Sequence, residues 1–123
     1  MDIFPWELGC ADTANTQYAM NQCAAKCFQV ADSLTDQIYQ LIRTDLIDQN
    51  TNRDRMENRF EQMERLDQLQ ANFTAIKILT TAFMRDKMGE GTMLPYLHLI
   101  TKIGITEFEY QLLWSLKTNP LKG

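Results

Sequence analysis

Several kinds of chemistry are excluded by what this sequence lacks. It has one histidine, His98, so a multi-histidine metal site or a Glu-x-x-His di-metal bundle cannot be assembled within the chain. It has three cysteines, Cys10, Cys23 and Cys27, an odd number without the regular spacing of a disulfide framework. Reduced thiols packed as small core residues are the expectation, and a soft-metal site built on the three would still want a fourth ligand. Gly89 and Gly91 are followed by neither the lysine nor the third glycine of a phosphate-cradling loop. No apolar run approaches the roughly 20 residues that cross a bilayer. Met1 to Glu7 lacks the basic start and apolar run of a secretory signal, which favours a cytoplasmic location. No strand-like alternation, internal repeat or low-complexity tract is visible.

Glycine and proline are scarce as well, five and three, and they fall near the ends or between residues 89 and 104. Long uninterrupted helices are the consequence. From Arg53 to Met88 apolar side chains recur at Met56, Phe60, Met63, Leu66, Leu69, Phe73, Ile76 and Phe83, steps that lay them along one helical stripe. Gly89 stops this helix, being the residue that most readily turns left-handed after a last turn. The denser apolar half, Ala75 to Met84, is expected to form the buried centre.

An earlier helix is expected from residue 13 to 48, with caps among Asp12 to Asn15. Met20, Cys27, Leu34 and Leu41 recur every seven residues, with Ala24, Ala31 and Ile38 between them, a heptad seam. Asp48 to Asn52 is a polar break of turn-forming residues, so the two helices should fold back as a hairpin. After Gly91, Thr92 is positioned to cap a short helix over 93–103 facing inward through Met93, Leu97, Ile100 and Ile103. Gly104 is expected to end it. Thr106 and Glu109 have capping-box spacing, which predicts a last helix over 107–118 buried through Phe108, Leu112, Leu113 and Leu116. The expected fold is therefore one all-α domain over 1–123: a long antiparallel hairpin (13–48 and 52–88) closed by two short C-terminal helices.

Residues 1–11 form an arm with apolar Ile3, Phe4, Trp6 and Leu8, expected either to fold back as a lid or to dock into a partner. The net charge of -4 disfavours nucleic acid. Residues 1–52 carry two basic side chains against seven acids, whereas residues 53–123 carry ten against nine. Arginines at the start of the second helix are interleaved with acids, and pairs such as Glu61 with Arg65 suit a solvated or partner-facing surface. Glu107 and Glu109 read as helix-start acids, not as a catalytic pair.

No catalytic constellation emerges, and neither a metal nor a cofactor is expected. The expectation is a non-enzymatic protein-protein interaction module: an adaptor, assembly chaperone, inhibitor or small subunit, self-associating as a homodimer. Its candidate partner-binding residues are Phe4, Trp6, Leu8, Arg55, Met56, Arg59, Phe60 and Met63. The alternative is a regulator that binds a small ligand or nucleic acid in a pocket near Tyr96, His98 and Trp114, between the hairpin and the C-terminal helices.

Overall fold

A computed structural model describes residues 16–48, 53–89, 91 and 93–118, with backbone alone at 48, 53–59 and 118. The described residues form three helices and no strand: α1 (Gln17–Asp48), α2 (Arg53–Met88) and α3 (Leu94–Thr118). The all-α expectation holds, and the expected fourth helix is absent because α3 runs straight through Gly104.

α1 begins where Thr16 accepts the Ala19 amide on its Oγ1 at 3.0 Å, an N-cap bond from the cap to the third helical residue. Its buried side chains fall at Ala24, Cys27, Ala31, Thr35 and Ile38, with Ile42 half-buried. Five steps over these 18 residues give the period of a straight helix, about 3.6. The expected heptad seam slips relative to this stripe by roughly 20° per repeat. By its third repeat Leu41 has rotated out to 51% exposure, and Thr35 and Tyr39 occupy the inner face.

α2 ends as expected. Gly89 takes a left-handed φ of 72°, and its amide donates to the Arg85 carbonyl at 2.9 Å, closing the last turn. The expected stripe of α2 is buried only in part. Leu66, Phe73 and Lys77 are buried, whereas Ile76, Ile78, Leu79 and Phe83 are exposed. Ala75 to Met84 is therefore not the buried centre. The other two helices pack on one side of α2 only, and the stripe Ile76, Leu79 and Phe83 stays exposed among the described residues.

α3 carries the largest correction. A glycine inside a helix costs about 1 kcal/mol relative to alanine. Fully burying one leucine or isoleucine returns about 1.5–3 kcal/mol, and a continuous α3 buries Ile103, Tyr110 and Leu113 together. Burial outweighs the glycine, and Gly104 stays helical and exposed. Thr106 is consequently no cap: its Oγ1 donates to the Lys102 carbonyl at 2.8 Å, one turn back. The inner face is also displaced from the expected one. Leu94, Ile103 and Leu113 are buried, while Met93, Ile100, Phe108 and Leu116 are exposed. The Thr92 cap lies outside the described residues.

Paired contacts set the directions. Asp36 meets Gln70 and Arg43 meets Asp67, so α1 and α2 run antiparallel. Lys77 meets Glu109 and Thr101 meets Met84, so α2 and α3 are antiparallel too. Lys102 sits 5.2 Å over the Phe28 ring and Lys117 pairs with Asp45, which makes α3 parallel to α1. α3 packs more extensively on α1 than α2 does. The core draws on all three helices through Cys27, Ala31, Ile38, Tyr39, Leu66, Ile103, Tyr110 and Leu113.

Candidate functional site

Polar residues of the three helices converge on a cleft of about 350 Å³. α1 contributes Asp32, Asp36 and Tyr39, α2 contributes Gln70 and Lys77, and α3 contributes Glu109. Each reaches the cleft through the period of its own helix. Asp32 and Asp36 stand one turn apart on α1, beside the buried stripe through Ala31, Thr35 and Ile38. Lys77 follows Phe73 by one turn on the inner face of α2. Glu109 lies between Thr106 and Leu113 on the inner face of α3, because Gly104 does not interrupt the helix.

At its floor the Lys77 ammonium donates to Glu109 Oε1 at 2.8 Å. Both side chains are withdrawn from water, with 11% and 3% exposure. Removing two charges from water costs several kcal/mol per ion, and their attraction roughly offsets that cost. The pair therefore fixes how α3 sits on α2 more than it adds stability. Beside it lies Tyr39, 1% exposed, with its buried phenol held against the Glu109 carboxylate. Burial first, and then the neighbouring Glu109 charge, hold the Tyr39 phenol well above its ordinary pKa. Tyr39 is thus a permanent neutral hydroxyl at the base of the cleft. At the rim, Asp36 receives only a long 3.5 Å contact from Gln70 Nε2. Among the described residues, neither Asp32 nor Asp36 belongs to an ion pair.

The residues expected to bind a partner are not gathered in this cleft. Phe4, Trp6 and Leu8 lie outside the described residues. Arg55, Met56 and Arg59 are on α2, with side chains outside the description. Phe60 is 65% exposed near the start of α2, and Met63 is half-buried one turn on. Nor is the alternative pocket assembled. Along a continuous α3, Trp114 stands sixteen residues from His98, about 24 Å at 1.5 Å per residue. Glu61 and Arg65 do meet, at 3.9 Å on an exposed face, as their spacing suggests.

Sequence reasoning missed Lys77 and Glu109. The signal was present: Lys77 continues the spacing of Leu66 and Phe73 on α2, and Glu109 continues that of Thr106 on α3. Lys77 was passed over and Glu109 was read as a helix-start acid, because charged residues are rarely buried unless paired and these two are 32 positions apart. The cysteines also depart from expectation. Cys27 is buried, as a core residue should be. Cys23 is half-buried and disulfide-bonded, where reduced thiols were expected.

Residues 10–108 match the family described as Lysozyme inhibitor LprI. The chain belongs to the LprI family. That match covers α1, α2 and α3 as far as Phe108, so every residue of the cleft except Glu109 lies within it. No curated protein and no solved structure matches the chain. Among the described residues of this LprI-family chain there is no cluster of three or more metal-ligating side chains. No helix among them is long and apolar enough to cross a membrane.

Proposed function

We propose that the chain is a non-enzymatic inhibitor that binds a lysozyme and blocks its action on cell-wall glycan. The observation that carries this reading is the match of residues 10–108 to the lysozyme inhibitor family. An inhibitor was one of four roles the sequence suggested, and the family favours it over adaptor, chaperone or structural subunit. Two surface features support a protein ligand. The exposed stripe of Ile76, Leu79 and Phe83 gives α2 an apolar face of the kind that marks protein contacts. The acidic balance of the chain favours encounter with a cationic partner.

A lysozyme inhibitor meets its target where cell walls are attacked, outside the cytoplasm. The disulfide at Cys23 supports that setting, since disulfides persist in oxidising compartments. An exported location is therefore proposed in place of the cytoplasmic one that the N-terminal residues suggested.

Calorimetric titration of the purified chain with a lysozyme tests the reading. Saturable binding with a stoichiometric end point is expected. Absence of binding at concentrations well above micromolar would refute it.

A further inference from the structure

We propose that the N-terminal arm, residues 1–15, is a strap along the groove between α1 and α3, on the side away from α2, fastened by a Cys10–Cys23 disulfide. This strap does not depend on the lysozyme reading.

The fastening follows from sulfur geometry. Cys23 is disulfide-bonded, and the sequence holds two other cysteines, Cys10 and Cys27. Cys27 stands four residues further along the same unbroken helix. Side chains four apart on a helix hold their Cβ atoms about 5–6 Å apart, whereas a disulfide needs about 3.5–4.5 Å. Cys10 is therefore the partner of Cys23. When the bond forms, each thiol gives up one proton and one electron, and a protein disulfide that accepts both pairs becomes a dithiol.

The groove follows from helical periodicity. α1 meets α2 through Asp36 and Arg43. At about 100° per residue, Cys23, Val30, Leu34 and Leu41 form a column on the opposite flank of the buried α1 stripe. α3 meets α2 through Thr101, Phe108 and Glu109, and its Ile100 and Trp114 lie on the flank turned from those contacts. The two helices are parallel, and Lys117 pairs with Asp45, which sets Trp114 level with Leu41. Val30, Leu41, Ile100 and Trp114 are large apolar side chains with 37–51% exposure, so this groove gains from a cover.

Reach and pattern name the arm as that cover. Six residues join Cys10 to Thr16, enough to run back along the first turns of α1 to Cys23, about 10 Å away. Beyond Cys10 the groove continues from Cys23 to Leu41, about 27 Å of helix. Cys10 back to Ile3 spans about 23 Å when extended, a close match. Phe4, Trp6 and Leu8 occupy alternate positions and share one side of an extended chain. Pro5 between them suits an extended segment and removes a donor that the groove does not satisfy. The strap is thus seated in an oxidising compartment and released by reduction.

The test uses the full chain. Proteolysis without reductant, after alkylation of reduced thiols, should yield a linked pair of peptides carrying Cys10 and Cys23; a bond from Cys27 to either would overturn the fastening. In oxidised wild type, nuclear Overhauser contacts should join Phe4 and Trp6 to Val30, Leu34 and Ile100. Contacts to Ile76 and Leu79 in their place, or none to the groove, would overturn the seating. In Trp114→Phe the remaining tryptophan is Trp6. Its emission should be blue-shifted and weakly quenched by iodide, and dithiothreitol or Cys10→Ser should raise quenching severalfold while circular dichroism keeps its helical signal. Unchanged quenching with the helices intact would overturn the disulfide as fastening. If the helical signal falls on reduction, the contacts in oxidised wild type decide the matter alone.

Discussion

Removing either partner of the Lys77–Glu109 pair should be the most damaging single polar change in the described helices. The two charges are 2.8 Å apart. At an effective dielectric of about 20, their direct attraction is roughly 6 kcal/mol. Desolvation of both ions consumes most of it, and the intact pair contributes little net stability. Glu109→Gln or Lys77→Met removes the attraction and leaves the other ion buried with its desolvation cost uncompensated. Such changes cost about 3–5 kcal/mol, a large share of the roughly 5–15 kcal/mol that holds a domain together. For a chain of this length, about 4 °C per kcal/mol gives a melting point lower by roughly 12–20 °C. Joint replacement, Lys77→Met with Glu109→Leu, should recover most of the loss by substituting packed apolar groups. Urea unfolding followed by circular dichroism and by tryptophan fluorescence measures all four proteins, with constant m confirming comparable end states. Single variants within about 1 kcal/mol of wild type would refute the buried pair, and with it the seating of α3 on α2. A double variant no better than the worse single would refute the reasoning about desolvation.

Other changes test other parts of the account. Gly104→Ala should raise stability by about 1 kcal/mol, because the position is helical and open space surrounds the added methyl; destabilisation would mean that the helix breaks there. Gly89→Ala should do the opposite, lowering stability by about 1 kcal/mol, since its φ is 72°. Tyr39→Phe should lower stability by about 1 kcal/mol, because the buried phenol is held against Glu109, and chemical denaturation would detect this; a variant as stable as wild type would show that the hydroxyl makes no such bond. The raised pKa of the Tyr39 phenol also fixes a sign. The unfolded chain releases this proton near pH 10 and the folded chain does not, so the contribution is intact below about pH 10 and lost as pH rises beyond it. Carbon-13 resonances of Tyr39 should therefore stay at neutral values until the chain unfolds in alkali, and ionisation near pH 10 in the folded protein would contradict its burial.

Much of this arrangement can be read from residue spacing. Helix existence followed from the shortage of glycine and proline, and the end of α2 followed from Gly89, because backbone preference decides a terminus where little packing competes. Gly104 was misjudged for the converse reason. Its penalty is smaller than the burial gained through Ile103 and Leu113, and a local rule carries no information about that gain. The face of α1 shifted because a seven-residue repeat and a straight helix part company over three repeats, as Leu41 and Thr35 show, and part of the α2 stripe is exposed because α2 has neighbours on one side only. The cleft was least legible. Its floor joins Lys77 to Glu109 across 32 positions, and its base is a tyrosine that reads from sequence as an ordinary member of a broad apolar face. Such contacts depend on how three helices are set against one another.

The account stands or falls on whether the chain inhibits a lysozyme. Its initial rate of clearing a cell-wall suspension should be measured against increasing concentrations of the chain. The rate should fall saturably toward zero as the chain approaches and passes equimolarity, and heat-unfolded chain should have no effect. An undiminished rate at large molar excess of folded protein would contradict the central claim.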